Sequence, residues 1–176
     1  MKRLYHIVRI SLLKNGFQRA KYLKQKNIFA SIGKNCFWQP RNVPPEAKLI
    51  KLHDNVVIAS EVLFVNHDVI HYMLKNINGG GNLNLGAIEV GSNVFIGSRS
   101  IILPDTKIED NVIIGAGSLV RGKVAGGGIY AGVPIKRIGE FDDLVAKRKA
   151  MPVDKRRKVE RFDDVWRVFN NEWERS

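Results

Sequence analysis

A six-residue recurrence of aliphatic side chains constrains this chain more than any other feature. From Val90 onward it places Val90, Ile96, Ile102, Ile108, Ile114 and Val120 at equal intervals. Four positions after each stands a small or β-branched residue: Val94, Ser100, Thr106, Val112, Ser118 and Val124. A step of six fits neither the turn of about 3.6 residues in an α-helix nor the two-residue alternation of a strand. It suits a short strand followed by a sharp corner, repeated so that every anchor side chain points to a common axis. Gly91, Gly97 and Gly115 directly follow three of the anchors, where a tight bend favours a residue without Cβ. Coils stacked in this way pair their strands in parallel and bury a continuous aliphatic column.

The register extends upstream. Leu52, Ile58 and Phe64 fall on anchor positions, with Val56 and Val62 in the second column. Ile32 and Trp38 anchor two further hexads, which the extra pair Pro44-Pro45 ends. Glu46 and Asn84 land on anchor positions and fit them poorly. After Val69 the run IHYMLKNINGGGNL cannot continue the column, because Gly79-Gly80-Gly81 offers no anchor. A loop near 70–83, extruded from the repeat, is the expectation, and such loops commonly carry function.

Helical segments are expected at both ends. Residues 2–26 contain no proline and only Gly16 as glycine, which predicts one or two basic helices. Val159, Phe162, Trp166, Phe169 and Trp173 step alternately by three and four, the apolar stripe of a helix that packs on the repeat or on a neighbouring subunit. The expected organisation is a basic helical segment over 1–29, a mainly β repeat domain over 30–139 and a helical extension over 140–176.

Charge and cysteine content narrow the classes of function. The formal net charge is +12, and residues 1–27 hold eight basic residues and no acidic one. No nucleic-acid-binding motif or aromatic platform accompanies that charge, so nucleic acid is not expected as a partner. Peripheral contact of residues 1–27 with an anionic membrane surface fits, as does attraction to phosphorylated ligands. No apolar run approaches the roughly 18 residues of a membrane span. Arg9 and Lys14 interrupt the N-terminal apolar stretch, so no secretory signal is expected, and the chain is read as cytoplasmic. Cys36 is the single cysteine, which excludes an internal disulfide and cysteine-cluster zinc sites. Its second-column position marks it as a small buried thiol.

Three of the four histidines, His53, His67 and His71, cluster in sequence. The run Phe64-Val65-Asn66-His67-Asp68 breaks the second column just before the loop, with Asp68 where an aliphatic or small residue belongs. Polar residues at a break in a regular repeat are where function overrides local rules, so His67 is the leading candidate for chemistry. His53 follows an anchor at a corner and is expected to be structural. His71 lies in the loop, where simple solvent exposure and contact with a substrate both fit. His6 carries no signal.

These motifs together resemble the hexapeptide-repeat acyltransferases, especially the maltose, galactoside, xenobiotic and polysaccharide O-acetyltransferase branch. The matching segments are FVNHD at 64–68, GAIEVGSNVFIGSRSIILPDTKIEDNVIIGAGSLV at 86–120 and AGVPIKRIG at 131–139, within a likeness spanning about residues 30–140. Asn66 stands where the family motif carries a threonine. The resemblance implies a left-handed parallel β-helix with three hexads to a triangular coil. It also implies a homotrimer with active sites shared between subunits. The implied activity moves acetyl from acetyl-CoA to a carbohydrate hydroxyl, on a cell-envelope or capsular glycan precursor. A sugar hydroxyl is too weak an acid to ionise near neutrality, so it needs a base within hydrogen-bonding reach; the resemblance gives that role to His67. Asn66, Asp68 and His71 are then expected near the acceptor. The pantetheine arm of CoA is expected near Phe95, Ser98, Gly115 and Ala116, and its phosphates near Arg121, Lys123, Lys136 and Arg137. No metal is expected. Three alternatives stay open: an N-acetyltransferase of an amino-sugar nucleotide, a zinc-dependent lyase of the carbonic-anhydrase type, and a non-enzymatic scaffold. Residues 72–176 contain no histidine, which weighs against the lyase.

Overall fold

In a computed structural model, which describes residues 2–150 together with Phe162 and Trp166, the hexads wind into a left-handed parallel β-helix. Three sheets form its faces. The first contains Ser31–Ile32, Ile50–Leu52, Ile88–Val90, Thr106–Ile108 and Lys123–Val124. The second contains Phe37–Trp38, Val56–Ile58, Val94–Ile96, Val112–Ile114, Gly128–Ala131 and Lys136–Glu140. Leu63–Phe64, Ile101–Ile102 and Leu119–Val120 make the third. All these strands pair in parallel except the last of the second sheet, where Lys136–Glu140 folds back antiparallel on Gly128–Ala131.

The register gives the coil its length. Val94 pairs with Val112 and Ile101 with Leu119, each pair 18 positions apart, so three hexads make one coil. Ser31 pairs with Lys51, 20 positions on, and the two additional residues are accounted for by Pro44-Pro45. Val56 pairs with Val94, 38 positions on, because the excursion after Asp68 adds 20 residues to that coil. Ile108 pairs with Val124, only 16 positions on. The corner at Arg121-Gly122 is therefore two residues shorter than its predecessor. Val124, expected in the second column, instead continues the anchor row of Ile108.

Both columns point inward. The anchors Val90, Ile96, Ile102, Ile108, Ile114 and Val120 are buried, as are Val94, Ser100, Thr106, Val112 and Ser118 of the second column. The two buried serines satisfy their hydroxyls within the stack: Ser100 Oγ and Ser118 Oγ both donate to the Gly115 carbonyl, at 3.0 and 2.6 Å. Corners need a left-handed backbone, and Asn55, Asn93 and Asn111 supply it at φ near 57–58°. Asparagine tolerates that conformation, and here the three side chains also bond in a ladder with 2.9 Å links. At Gly97 a Cβ would stand 2.5 Å from the Ala116 nitrogen of the next coil, so close stacking there requires glycine.

The basic segment forms two helices, α1 (Lys2–Ser11) and α2 (Gly16–Gln25). Asn15 caps α2, its side-chain oxygen accepting from the Gln18 amide. The helices belong to one compact unit with the β-helix, Met1–Phe141. Ile10, Ala20 and Leu23 enter the common core, which Phe29, Trp38 and Phe64 fill at this end with mutual ring contacts of 5.0 and 5.6 Å. Cys36 is buried, as its column position predicts, and burial pushes its thiol above the ordinary range.

The excursion is more ordered than a loop. Ile70–Asn78 is a helix, α3, which ends at Gly79 in the left-handed conformation. The triple glycine dominates the sequence reading of this stretch, yet only Gly79 acts as a helix stop and Gly80 begins the return. After the last strand comes a fourth helix, α4 (Phe141–Ala150), with Asp142 and Asp143 in its first turn and Lys147, Arg148 and Lys149 in its last. That order complements the helix dipole at both ends. Of the C-terminal apolar stripe, Phe162 and Trp166 are helical, and Val159, Phe169 and Trp173 lie outside the described residues.

Candidate active site

The third sheet starts one coil later than the other two, and this creates the site. In the first coil, Pro44-Pro45 and a single 3-10 turn, Ala47–Leu49, occupy the place of a third-face strand. Leu63–Phe64 consequently ends its sheet, and Glu46 lies between Pro45 and the 3-10 turn that stand in for the missing strand. In the next coil the chain leaves Phe64 and turns out into the excursion, carrying His67 past Glu46. His67 Nδ1 lies 2.8 Å from Glu46 Oε2, with the two side chains 29% and 30% exposed.

The strand that would have continued is replaced by a clamp. His67 makes a single antiparallel bridge with Leu85, where the excursion returns. Asn66 is buried, and its Nδ2 donates to the Gly86 carbonyl at 2.8 Å while the Gly86 amide donates back to the Asn66 carbonyl at 2.7 Å. These bonds fix both ends of the excursion beside the imidazole. Asp68 Oδ1 accepts from the Ile70 amide at 3.0 Å, a local turn two residues long that leads into α3. His71 lies on α3, its ring 4.2 Å from that of Tyr72. The structure sets the half-buried His67 at this turn, and the side chain that bonds its ring is Glu46. The signal for Glu46 was its misfit on an anchor position.

A cleft of about 510 Å³ opens on His67. Val65, Asp68, Asn84, Pro104 and Arg121 line it with the imidazole. Asn84, the other misfit anchor, thus lines the same cleft. Arg121 comes from the shortened corner. It is exposed, and among the residues expected near the donor it alone lines this cleft. Phe95 and Ser98 lie on and just after Val94–Ile96, and Gly115 and Ala116 follow Val112–Ile114, so these four stack on adjacent coils. Lys123 and Arg137 are already engaged. Lys123 Nζ lies 2.8 Å from Glu109, and this hydrogen bond holds the ammonium more firmly protonated than usual. Arg137 pairs with Glu140. Lys136 opens the final strand and is exposed.

A larger groove of about 570 Å³ runs past His53, Glu89 and Glu109. Its charges satisfy one another. His53 Nε2 is 2.9 Å from Glu89, and that hydrogen bond holds the carboxyl below its usual range. Such a ladder of solvated pairs accounts for His53 without chemistry. Among the described residues no group of three His, Cys, Asp or Glu side chains is placed to hold a metal ion, and no helix is long and apolar enough to cross a membrane.

Residues 87–122 match the family described as bacterial transferase hexapeptide (six repeats). The chain is similar to galactoside O-acetyltransferase of Escherichia coli strain K12, 33% identical over 140 residues that cover 67% of each protein. It is also similar to galactoside O-acetyltransferase of Lactococcus lactis strain IL1403, 26% identical over 128 residues that cover 62% of each. Among solved structures, a galactoside acetyltransferase in complex with coenzyme A superposes with a TM-score of 0.56 and 27% identity, over 90% of this chain and 88% of that one.

Proposed function

The chain belongs to the bacterial hexapeptide-repeat transferase family, and from that premise we propose that it is an acetyl-CoA-dependent O-acetyltransferase acting on a carbohydrate hydroxyl. The observation that carries the reading is the Glu46–His67 pair at the mouth of the cleft. An ionised carboxylate can only accept a hydrogen bond, so Nδ1 carries the proton and Nε2 is left with a free lone pair. That is the tautomer a general base needs. Nε2 takes the acceptor hydroxyl proton as the oxygen attacks the thioester carbonyl carbon. The carbon–sulfur bond then breaks, and the same nitrogen returns the proton to the departing sulfur. The products are an ester and free CoA, with His67 restored. Glu46 stabilises the transient imidazolium and fixes the ring, as the carboxylate of a catalytic triad does.

Asn66 holds the excursion against Gly86 and so sets the backbone that carries the imidazole. Arg121 offers a planar, permanently charged fork at the cleft, suited to a phosphate of CoA. Phe95, Ser98, Gly115 and Ala116 form a track of three small residues beside one aromatic ring on a different part of the coil stack. A donor lying on that track reaches His67 in a groove completed by another subunit, which supports a homotrimer. Exposed apolar side chains on the sheet faces, Leu63 at 46%, Phe95 at 40% and Ile101 at 37%, also support burial between subunits.

The reading is tested by titrating acetyl-CoA into the protein, then supplying sugar acceptors and characterising the product, with the mass measured by light scattering on the same preparation. Saturable donor binding, a hydroxylamine-labile ester and a mass of three chains are expected. An amide product would move the assignment to N-acetylation, and absence of donor binding would sink it.

Glu46 is open to a graded test. Glu46→Gln keeps an acceptor for Nδ1 but loses the charge, and kcat is expected to fall about tenfold; Glu46→Leu loses both, and a fall of about a hundredfold is expected. Acetyl-CoA affinity measured by calorimetry stays unchanged in both. Equal activity of the three proteins would remove Glu46 from the mechanism.

A further inference from the structure

We propose that α1 and the turn after it form a surface that seats on an anionic phospholipid bilayer. One side of this helix is fully used inside the protein. Ile10 is buried, His6 Nδ1 lies 2.8 Å from the Tyr22 hydroxyl, and Arg3 Nε donates to the Val43 carbonyl at 2.8 Å. The other side is apolar and faces solvent. Leu4, Val8 and Leu12 follow one another at intervals of four and are 66%, 54% and 72% exposed, with Phe17 at 58% at the start of α2. Tyr5 flanks this stripe and is equally open. A helix that buries one face and leaves a second apolar face in water has an unfilled partner on that side.

Charge identifies the partner. Arg9, Lys14, Lys21, Lys24 and Lys26 are all exposed in the same two-helix segment. Among the described residues no carboxylate pairs with any of them, and residues 1–27 contain no acidic side chain. Apolar residues bordered by Lys and Arg are the composition of a helix that lies in the plane of a lipid interface. Its apolar side enters the acyl boundary while its cations meet anionic headgroups. A second copy of this chain would bring like charges together, which disfavours association through the same stripe.

The position of α1 relates this surface to the site. Arg3 bonds Val43, three residues before the Glu46 that holds His67. Resting on the acyltransfer reading, the consequence is that a carbohydrate acceptor carried on a membrane lipid would be met at the bilayer face.

The test is cosedimentation of the full chain with vesicles, without donor or acceptor, so that its failure leaves the acyltransfer reading untouched. Vesicles of phosphatidylcholine with about one third phosphatidylglycerol are expected to bind at least about tenfold more tightly than pure phosphatidylcholine, and less tightly as salt rises. The triple variant Leu4→Asp, Val8→Asp, Leu12→Asp is expected to lose at least about tenfold of that binding. A second variant, Arg9→Glu, Lys14→Glu, Lys21→Glu, alters only exposed charges and is expected to lose the preference for phosphatidylglycerol; circular dichroism checks that both variants fold. Equal binding to the two vesicle types, or retention of binding by the aspartate variant, overturns the proposal. So does single-stranded RNA that binds as tightly as the vesicles and is unaffected by the aspartates, which would mark the charge as a nucleic-acid surface.

Discussion

His67→Ala is expected to lower kcat for acetyl transfer by about a thousandfold, within the range of about 10² to 10⁴ that a positioned general base contributes. That loss corresponds to about 4 kcal/mol of transition-state stabilisation. Among the described residues that line the cleft, the substitution removes the one imidazole, whose Nδ1 bonds the Glu46 carboxylate. Donor affinity is expected to stay within about twofold of wild type, because the base acts on the proton of the acceptor and binding energy common to ground and transition states is untouched. Thermal stability is also expected to hold, since the imidazole is nearly a third exposed and packs in neither buried column. Steady-state kinetics with calorimetry on the same protein separates the outcomes. A fall in donor affinity matching the fall in kcat would make His67 a binding residue. Unchanged turnover would remove it from the reaction, and the acyltransfer chemistry would then need another base.

The same site shows what the repeat made legible and what it did not. Periodicity located the fold because each buried row is a local property of six consecutive residues: Ile102 must be apolar wherever its coil finally stacks. It located His67 for the complementary reason, since Asn66, His67 and Asp68 interrupt that rule in one short run. Glu46 lies 21 residues before His67 and one coil away. Its approach depends on Pro44-Pro45 displacing the third-face strand, a consequence of stacking that no local window contains. The misfit on an anchor row was visible; the partner that explains it was not. Asp68 is the contrasting case: it follows His67 in sequence and lines the same cleft, yet proximity in sequence says nothing about direction, and its Oδ1 accepts from the Ile70 amide. The slip at Arg121-Gly122 was hidden by chance compatibility: valine at position 124 satisfies the second column in an uninterrupted count and the anchor row in the real one. Helix α3 was obscured by Gly79-Gly80-Gly81, although Ile70, Met73, Leu74 and Ile77 already had helical spacing.

Stability should follow the columns as sharply as activity follows the cleft. In the strand Thr106–Ile108, Ile108 is 1% exposed and pairs with Val90 on one side and Val124 on the other. Ile108→Ala is expected to cost about 3 kcal/mol, from the transfer energy of the lost methyl and methylene groups and the cavity they leave. A solenoid coil contacts chiefly its two neighbours, and pairing on both sides restricts how far either can relax into the void. For a chain of this size the change corresponds to a fall in Tm of roughly 6–12 °C. The adjacent Lys107 supplies the internal control. It is exposed, and its contact with Glu89 is a solvated 3.7 Å pair, so Lys107→Ala is expected to stay within about 0.5 kcal/mol of wild type. Both variants are compared by thermal and urea unfolding at one protein concentration, because subunit association would make Tm concentration-dependent. Equal losses at 107 and 108 would mean that strand pairing, and not the aliphatic column, governs this coil. A loss confined to Ile108 would show that inward side-chain packing carries the stack and leaves the outer faces free to vary with the ligands and surfaces they meet.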